Sequence, residues 1–70
     1  MTLRQRIEQH LALTGQDFTN RALAVALSAP EPSVRRATLY GLVVGTIREV
    51  GKTHYGAYLY GTPKPTEVTQ

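Results

Sequence analysis

Two prolines and a glycine set the frame of this chain. In the run Pro30-Glu-Pro-Ser-Val-Arg-Arg-Ala-Thr-Leu-Tyr-Gly, a helix can begin but cannot be extended backwards, because proline has no amide hydrogen and its ring collides with the preceding turn. Pro30 suits the first helical position, and Pro32 still falls in the first turn, whose amides have no partner inside the helix. Gly45 supplies the stop, since glycine adopts the left-handed conformation that ends helices. At about 100° per residue, Val34, Ala37, Thr38, Gly41 and Gly45 share one side of this helix, flanked by Leu42 and Val44. Arg35, Arg36, Leu39, Tyr40 and Val43 point away.

A chain of 70 residues makes one domain, and a domain of this size buries only about 60% of the surface its unfolded form exposes. The core must be small, with little room for an enclosed active site. The absence of cysteine excludes disulfides, thiolate metal sites and a cysteine nucleophile. Eight Lys and Arg against five Asp and Glu give a net charge of +3, which suits an anionic partner where the charge gathers on one face. No apolar run is long enough to cross a bilayer, and Met-Thr-Leu-Arg-Gln-Arg does not open a signal-peptide core. The expectation is a soluble cytoplasmic protein without a membrane partner.

Upstream of the proline-bounded helix, Leu3, Ile7, His10 and Leu11 recur at helical spacing among polar residues. This predicts a first helix over 3–13, capped by Thr2 and ended by Gly15. Phe18 and Thr19 open a second helix over 20–27, with Thr19 as cap and Leu23, Ala26 and Leu27 as its buried stripe. Ala22 and Ala24 keep it thin enough for another helix to cross. Ser28 and Ala29 form the turn. Downstream, Thr46 to Val50 has strand composition, Gly51 to Gly56 is turn-like, and Ala57 to Tyr60 resumes a strand. The fold class expected is α+β, three helices followed by a two-stranded hairpin. The domain covers 1–62, and 63–70 is expected to be a flexible polar tail.

The sequence argues against catalysis. It has no carboxylate pair or nucleophile with a base at usable spacing, and its glycines stand too far apart for a phosphate-cradling loop. His10 and His54 lack acidic companions at ligand spacing, so no metal or cofactor is expected. His10 is read as a boundary residue packed beside the core.

The order of elements and their punctuation resemble the winged helix-turn-helix superfamily of small bacterial and phage or plasmid regulators. The resemblance rests on Phe18 and Thr19 opening the second helix, Leu23 and Ala24 within it, and Leu27 and Ser28 at the turn. Ala29 and Pro30 then lead into the third helix, Val34 and Ala37 face inward, and Gly45 precedes a strand from Ile47 to Val50. It covers about residues 18–60 and is a fold-level signal. Two positions depart from the pattern: Ser28 stands where glycine is common, and Gly41 where a buried leucine is usual.

The resemblance implies double-stranded DNA as partner and transcription regulation as function, with the third helix in the major groove. Arg35 and Arg36 are then candidates for guanine edges or phosphates. Ser33 can reach a base or phosphate, and Tyr40 a phosphate. Thr19, Asn20 and Arg21 would hold the backbone, and Lys52 and His54 at the hairpin tip an adjacent phosphate or groove. Glu31 would repel phosphate unless it accepts from a cytosine amine. The plainer reading makes Arg35, Arg36, Lys52 and His54 ordinary solvated residues, and Tyr55, Tyr58 and Tyr60 core and strand-pairing residues. Leu39 and Val43, four apart on the outward face, suit a protein interface instead. That interface would be with a second copy in a homodimer, or with a host protein that the chain inhibits.

Overall fold

The computed structural model describes residues 1–63. Three helices, α1 (Leu3–Thr14), α2 (Asn20–Leu27) and α3 (Glu31–Val44), are followed by two antiparallel strands, β1 (Arg48–Lys52) and β2 (Tyr58–Gly61). The chain is thus α+β, with a hairpin after the helices. The proposed tail lies almost wholly outside the described residues. Among the described residues no helix is long and apolar enough to cross a membrane.

The helix ends follow from local chemistry. Thr2 accepts a hydrogen bond from the Gln5 amide while the Gln5 side chain accepts from the Thr2 amide, a reciprocal cap that satisfies two amides otherwise left open. Gly15 ends α1 at φ 66°. Thr19 Oγ1 accepts from the Ala22 amide to start α2. Ser28 ends α2 at φ 53°, so serine takes the left-handed conformation at the place where glycine is common. Pro30 is displaced by one position from the sequence expectation. It precedes the helix, its carbonyl accepts from the Ser33 and Val34 amides at 3.1 Å, and Glu31 is the first helical residue.

The buried core comprises Ile7, Leu11, Leu23, Ala24, Val34, Ile47 and Tyr60 together with Thr38. Leu3, Phe18, Leu27, Ala29, Ala37 and Leu42 pack around it. The expected stripe of α2 needs a correction: Ala24 is buried and Ala26 is exposed. The centre of the buried arc falls between Leu23 and Ala24, and at about 100° per residue Ala26 lies on its far side.

The first strand also begins later than composition suggests. The amides of Gly45, Thr46 and Ile47 all donate to the Gly41 carbonyl, at 2.9, 2.9 and 3.1 Å, so this segment folds back over the end of α3 instead of joining the ladder. Ile47, 2% exposed, then serves as a core plug. The missing side chain of Gly41 is the notch that receives it, because a Cβ there would lie 2.5 Å from Ile47 Cδ1. The buried leucine expected at position 41 is replaced by an isoleucine brought in from six residues downstream.

The hairpin pairs Arg48 with Gly61, Glu49 with Tyr60, Gly51 with Leu59 and Lys52 with Tyr58, with a bulge between Glu49 and Gly51. On its other edge, Tyr60 exchanges two backbone hydrogen bonds with Phe18, at 2.8 and 2.9 Å. Phe18 therefore acts as a one-residue strand tying the α1–α2 connection to β2, a role not foreseen for a residue placed at a helix start. His10 sits 4.9 Å from the Phe18 ring, in agreement with its boundary role.

Tyr60 links the sheet to the helices. Burial pushes its phenol above the usual value of 10.0, and the Glu49 carboxylate adds to this, whereas the Asn20 side chain acts in the opposite sense. The fold thus favours the neutral phenol. This contribution is fully present below the unfolded pKa near 10 and is lost as pH rises through the higher folded value. The loss of melting temperature between about pH 9 and 11 should accordingly be smaller in Tyr60→Phe than in the wild type. Equal losses in thermal melts of the two proteins would remove Tyr60 from the alkaline transition.

Candidate nucleic-acid interface

The seam that faces the core along α3 is Val34, Thr38 and Gly41, all buried. The opposite face is therefore free by construction, and the structure brings Arg35, Arg36, Leu39 and Val43 out on it, all exposed. Arg35 Nη2 lies 3.3 Å from Glu31 Oε2 one turn earlier. Such an exposed pair is worth only a few tenths of a kcal/mol, about 0.3–0.5, so Arg35 exchanges readily to a better acceptor. Arg36 has no carboxylate partner among the described residues.

The remaining arginines are unequal. The guanidinium of Arg4 lies over the Tyr40 ring at 4.9 Å, and its Nε is 3.1 Å from Glu8 Oε2. That contact is close enough for an ion pair but not aligned as a hydrogen bond, so Nε has no hydrogen-bond partner. The same Glu8 oxygen accepts from Thr46 Oγ1 at 2.5 Å. This chain of contacts holds α1 against the C-terminal half of α3. Arg6 donates to the Leu27 carbonyl at 2.9 Å, at the end of α2. Arg4 and Arg6 thus stabilise the helix packing, whereas Arg21 and Arg36 extend from exposed positions on α2 and α3.

The predicted contact residues divide in the same way. Asn20 is turned inward: its Oδ1 accepts from Thr38 Oγ1 at 2.8 Å, while Thr38 also donates to the Arg35 carbonyl at 3.0 Å. Asn20 is thus a clasp between α2 and α3, and its side-chain oxygen is committed within the fold. The signal available in the sequence was Thr38, a polar residue on an otherwise apolar helix side that needs a partner when buried. Thr38→Val should cost about 1–2 kcal/mol, because it leaves the Asn20 carbonyl oxygen unpaired in a half-buried place; chemical denaturation measures this directly. A Thr38→Val protein as stable as the wild type would show the clasp to be energetically idle.

Thr19 is occupied as a cap, Ser33 is half-buried, and Tyr40 is engaged by Arg4 on the side of α3 that faces α1. Lys52 and His54 are exposed near the hairpin tip, each against an aromatic ring. Lys52 Nζ stands 4.8 Å from the Tyr58 ring centre, and the His54 ring meets Tyr55 edge-on at 5.2 Å. Of the tyrosines read as core and strand-pairing residues, Tyr60 is buried and Tyr58 and Tyr60 pair with Lys52 and Glu49 in the hairpin, whereas Tyr55, 69% exposed, does neither.

Between the start of α2 and the hairpin lies an open cleft of ≈ 560 Å³, with Arg21, Val25, Glu31, Tyr55, Tyr58 and Tyr60 among its lining residues. Among the described residues no three His, Asp or Glu side chains come together as a metal site would require. No family model, curated protein or solved structure matches the chain.

Proposed function

We propose that the chain is a winged helix-turn-helix protein that binds double-stranded DNA and acts as a small transcriptional regulator. The observation that carries this reading is the exposure of two adjacent arginines on α3, Arg36 opposite the buried seam and Arg35 on its flank about 100° from Val34. In this reading α3 enters the major groove, with Arg35 and Arg36 reaching guanine edges or flanking phosphates. Arg21 at the start of α2 and Lys52 and His54 on the hairpin hold the backbone on either side, and Ser33 lies near the first-turn contacts. Such phosphate contacts fix register and leave sequence choice to α3. The test is a mobility shift on random and candidate operator duplexes at several salt concentrations, repeated with Arg35→Ala/Arg36→Ala.

A second reading is supported by Leu39 at 61% and Val43 at 76% exposure on the same face. An apolar pair of this kind suits a protein partner, either a second copy or a host protein. A homodimer would serve the DNA reading too, since one short module buries little surface on a duplex. Leu39→Glu should then lower the mass seen by light scattering to that of a monomer. If the wild type is already monomeric and shifts no DNA, while a host protein captured by it is released by Leu39→Glu, the protein-binding reading replaces the regulator.

A further inference from the structure

The cleft beside the hairpin is not needed for α3 to lie in a groove, and its lining has a chemistry of its own. Tyr55, Tyr58 and Tyr60 all line it, yet the ring pairs formed among the described residues are His10 with Phe18 and His54 with Tyr55. The three tyrosines therefore border an open space without packing on one another. A cleft of this size lies in the range that takes a small planar ligand. Duplex phosphate is a poor occupant, because the lining is rich in aromatic rings and includes the Glu31 carboxylate.

We propose that this cleft binds an unpaired nucleotide, with its base against the tyrosines. Aromatic faces accept any base by stacking, and cations that flank such a platform track the phosphates of a single strand. Here Arg21 is one of the lining residues, and Lys52, outside the lining, stands over the Tyr58 ring. Glu31 adds selectivity. Its carboxylate keeps acceptor sites beyond the one used by Arg35, and these suit the exocyclic amine of cytosine or adenine, which thymine lacks. The ligand chemistry is thus a nucleotide with an amine-bearing base, whether free or part of a single strand. This site shares Arg21 and Lys52 with the proposed duplex contacts, and its Glu31 pairs with Arg35, so the two readings are told apart at Tyr55 and Tyr58, which duplex binding does not use.

The chain has four tyrosines and no tryptophan, and all but Tyr40 line the cleft, so in a Tyr40→Phe background its emission reports on the cleft. The full chain is titrated with single strands of deoxycytidine, deoxyadenosine and thymidine, with the corresponding monophosphates, and with a duplex. Cytosine and adenine strands should quench the emission and bind roughly 10-fold more tightly than thymidine strands, and Glu31→Ala should erase that preference. Tyr55→Ala, at an exposed turn position, and Tyr58→Ala should each weaken binding by roughly 10-fold, and Tyr58→Phe should restore it. Tyr40→Phe, which keeps the ring beneath Arg4 on the other side of α3, should leave nucleotide affinity unchanged. Saturation by monophosphates would identify a free nucleotide as the source, and saturation by strands alone a polynucleotide. Absence of quenching by all single-stranded and free ligands, or unchanged affinity in both Tyr55→Ala and Tyr58→Ala, would overturn the proposal. Duplex binding that responds to Arg35 and Arg36 but not to Tyr55 would leave the regulator reading intact, so the two fail separately.

Discussion

On the proposed reading, replacing Arg35 and Arg36 together by alanine should strongly weaken duplex binding while leaving the fold in place. Each bidentate arginine contact to a guanine is worth about 1–3 kcal/mol, so losing two weakens a cognate site by roughly 30-fold or more. If instead the two arginines sit on phosphates, non-specific affinity falls as well, and the salt slope drops by about 1.8. The slope thus tells a base contact from a backbone contact, and affinity alone does not. Stability should barely change, because both side chains are exposed and the one ion pair lost, Glu31 with Arg35 at 3.3 Å, is worth about 0.3–0.5 kcal/mol. Wild-type affinity in the double variant would move the DNA surface elsewhere, with Arg21 and Lys52 as the next residues to replace.

Gly41→Ala should be among the most damaging single-methyl changes in the protein. On helix propensity alone the substitution gains about 1 kcal/mol. The tertiary structure reverses the sign. The added Cβ would stand 2.5, 2.6 and 2.9 Å from Ile47 Cδ1, Cγ1 and Cβ, well inside the roughly 3.5–4.0 Å of a carbon–carbon contact. Rotating the isoleucine relieves the first two contacts but not the third, because Cβ moves only with the main chain. That main chain is held by three amides on the Gly41 carbonyl.

Overpacking of this kind costs about 1–3 kcal/mol and occasionally more. Set against the propensity gain of about 1 kcal/mol, this leaves a net loss of up to about 2 kcal/mol, which for a domain of this size lowers the melting temperature by up to roughly 10 °C. Ile47→Ala should be destabilising alone, yet Gly41→Ala should cost markedly less in that background, giving a favourable coupling in a double-mutant cycle. A Gly41→Ala protein that melts at or above the wild-type temperature would refute the Gly41–Ile47 notch.

The two predictions probe opposite faces of α3. Gly41 reports on how the helix is seated, and Arg35 and Arg36 on what its free side meets. A variant that fails both assays has lost its fold, whereas one that fails only the DNA assay has lost a contact.

Several features were legible in the residues alone because they depend on neighbours in the chain. The caps at Thr2 and Thr19, the stops at Gly15 and Gly45, and the exposure of Leu39 and Val43 follow from backbone chemistry and helical angle. The order of three helices and a hairpin follows from the same signals. Ser28 could be placed at a turn, and its left-handed conformation at φ 53° is what a turn of that length demands.

Partnerships between distant residues were not legible. Nothing local to Phe18 shows that it will pair with Tyr60, nor anything local to Asn20 that Thr38 will take its side chain. Arg4 and Arg6 look like free surface cations until α3 and the end of α2 come into range. The cleft exists only because the hairpin leans beside α2. Hydrogen bonding and helical periodicity act over a few residues, so the sequence by itself determined where each element begins, ends and turns its apolar side. Packing joins groups far apart in the chain, and only the tertiary structure decided which polar side chains were consumed in holding the fold and which, chiefly Arg21, Arg35, Arg36, Tyr55 and Tyr58, were left exposed.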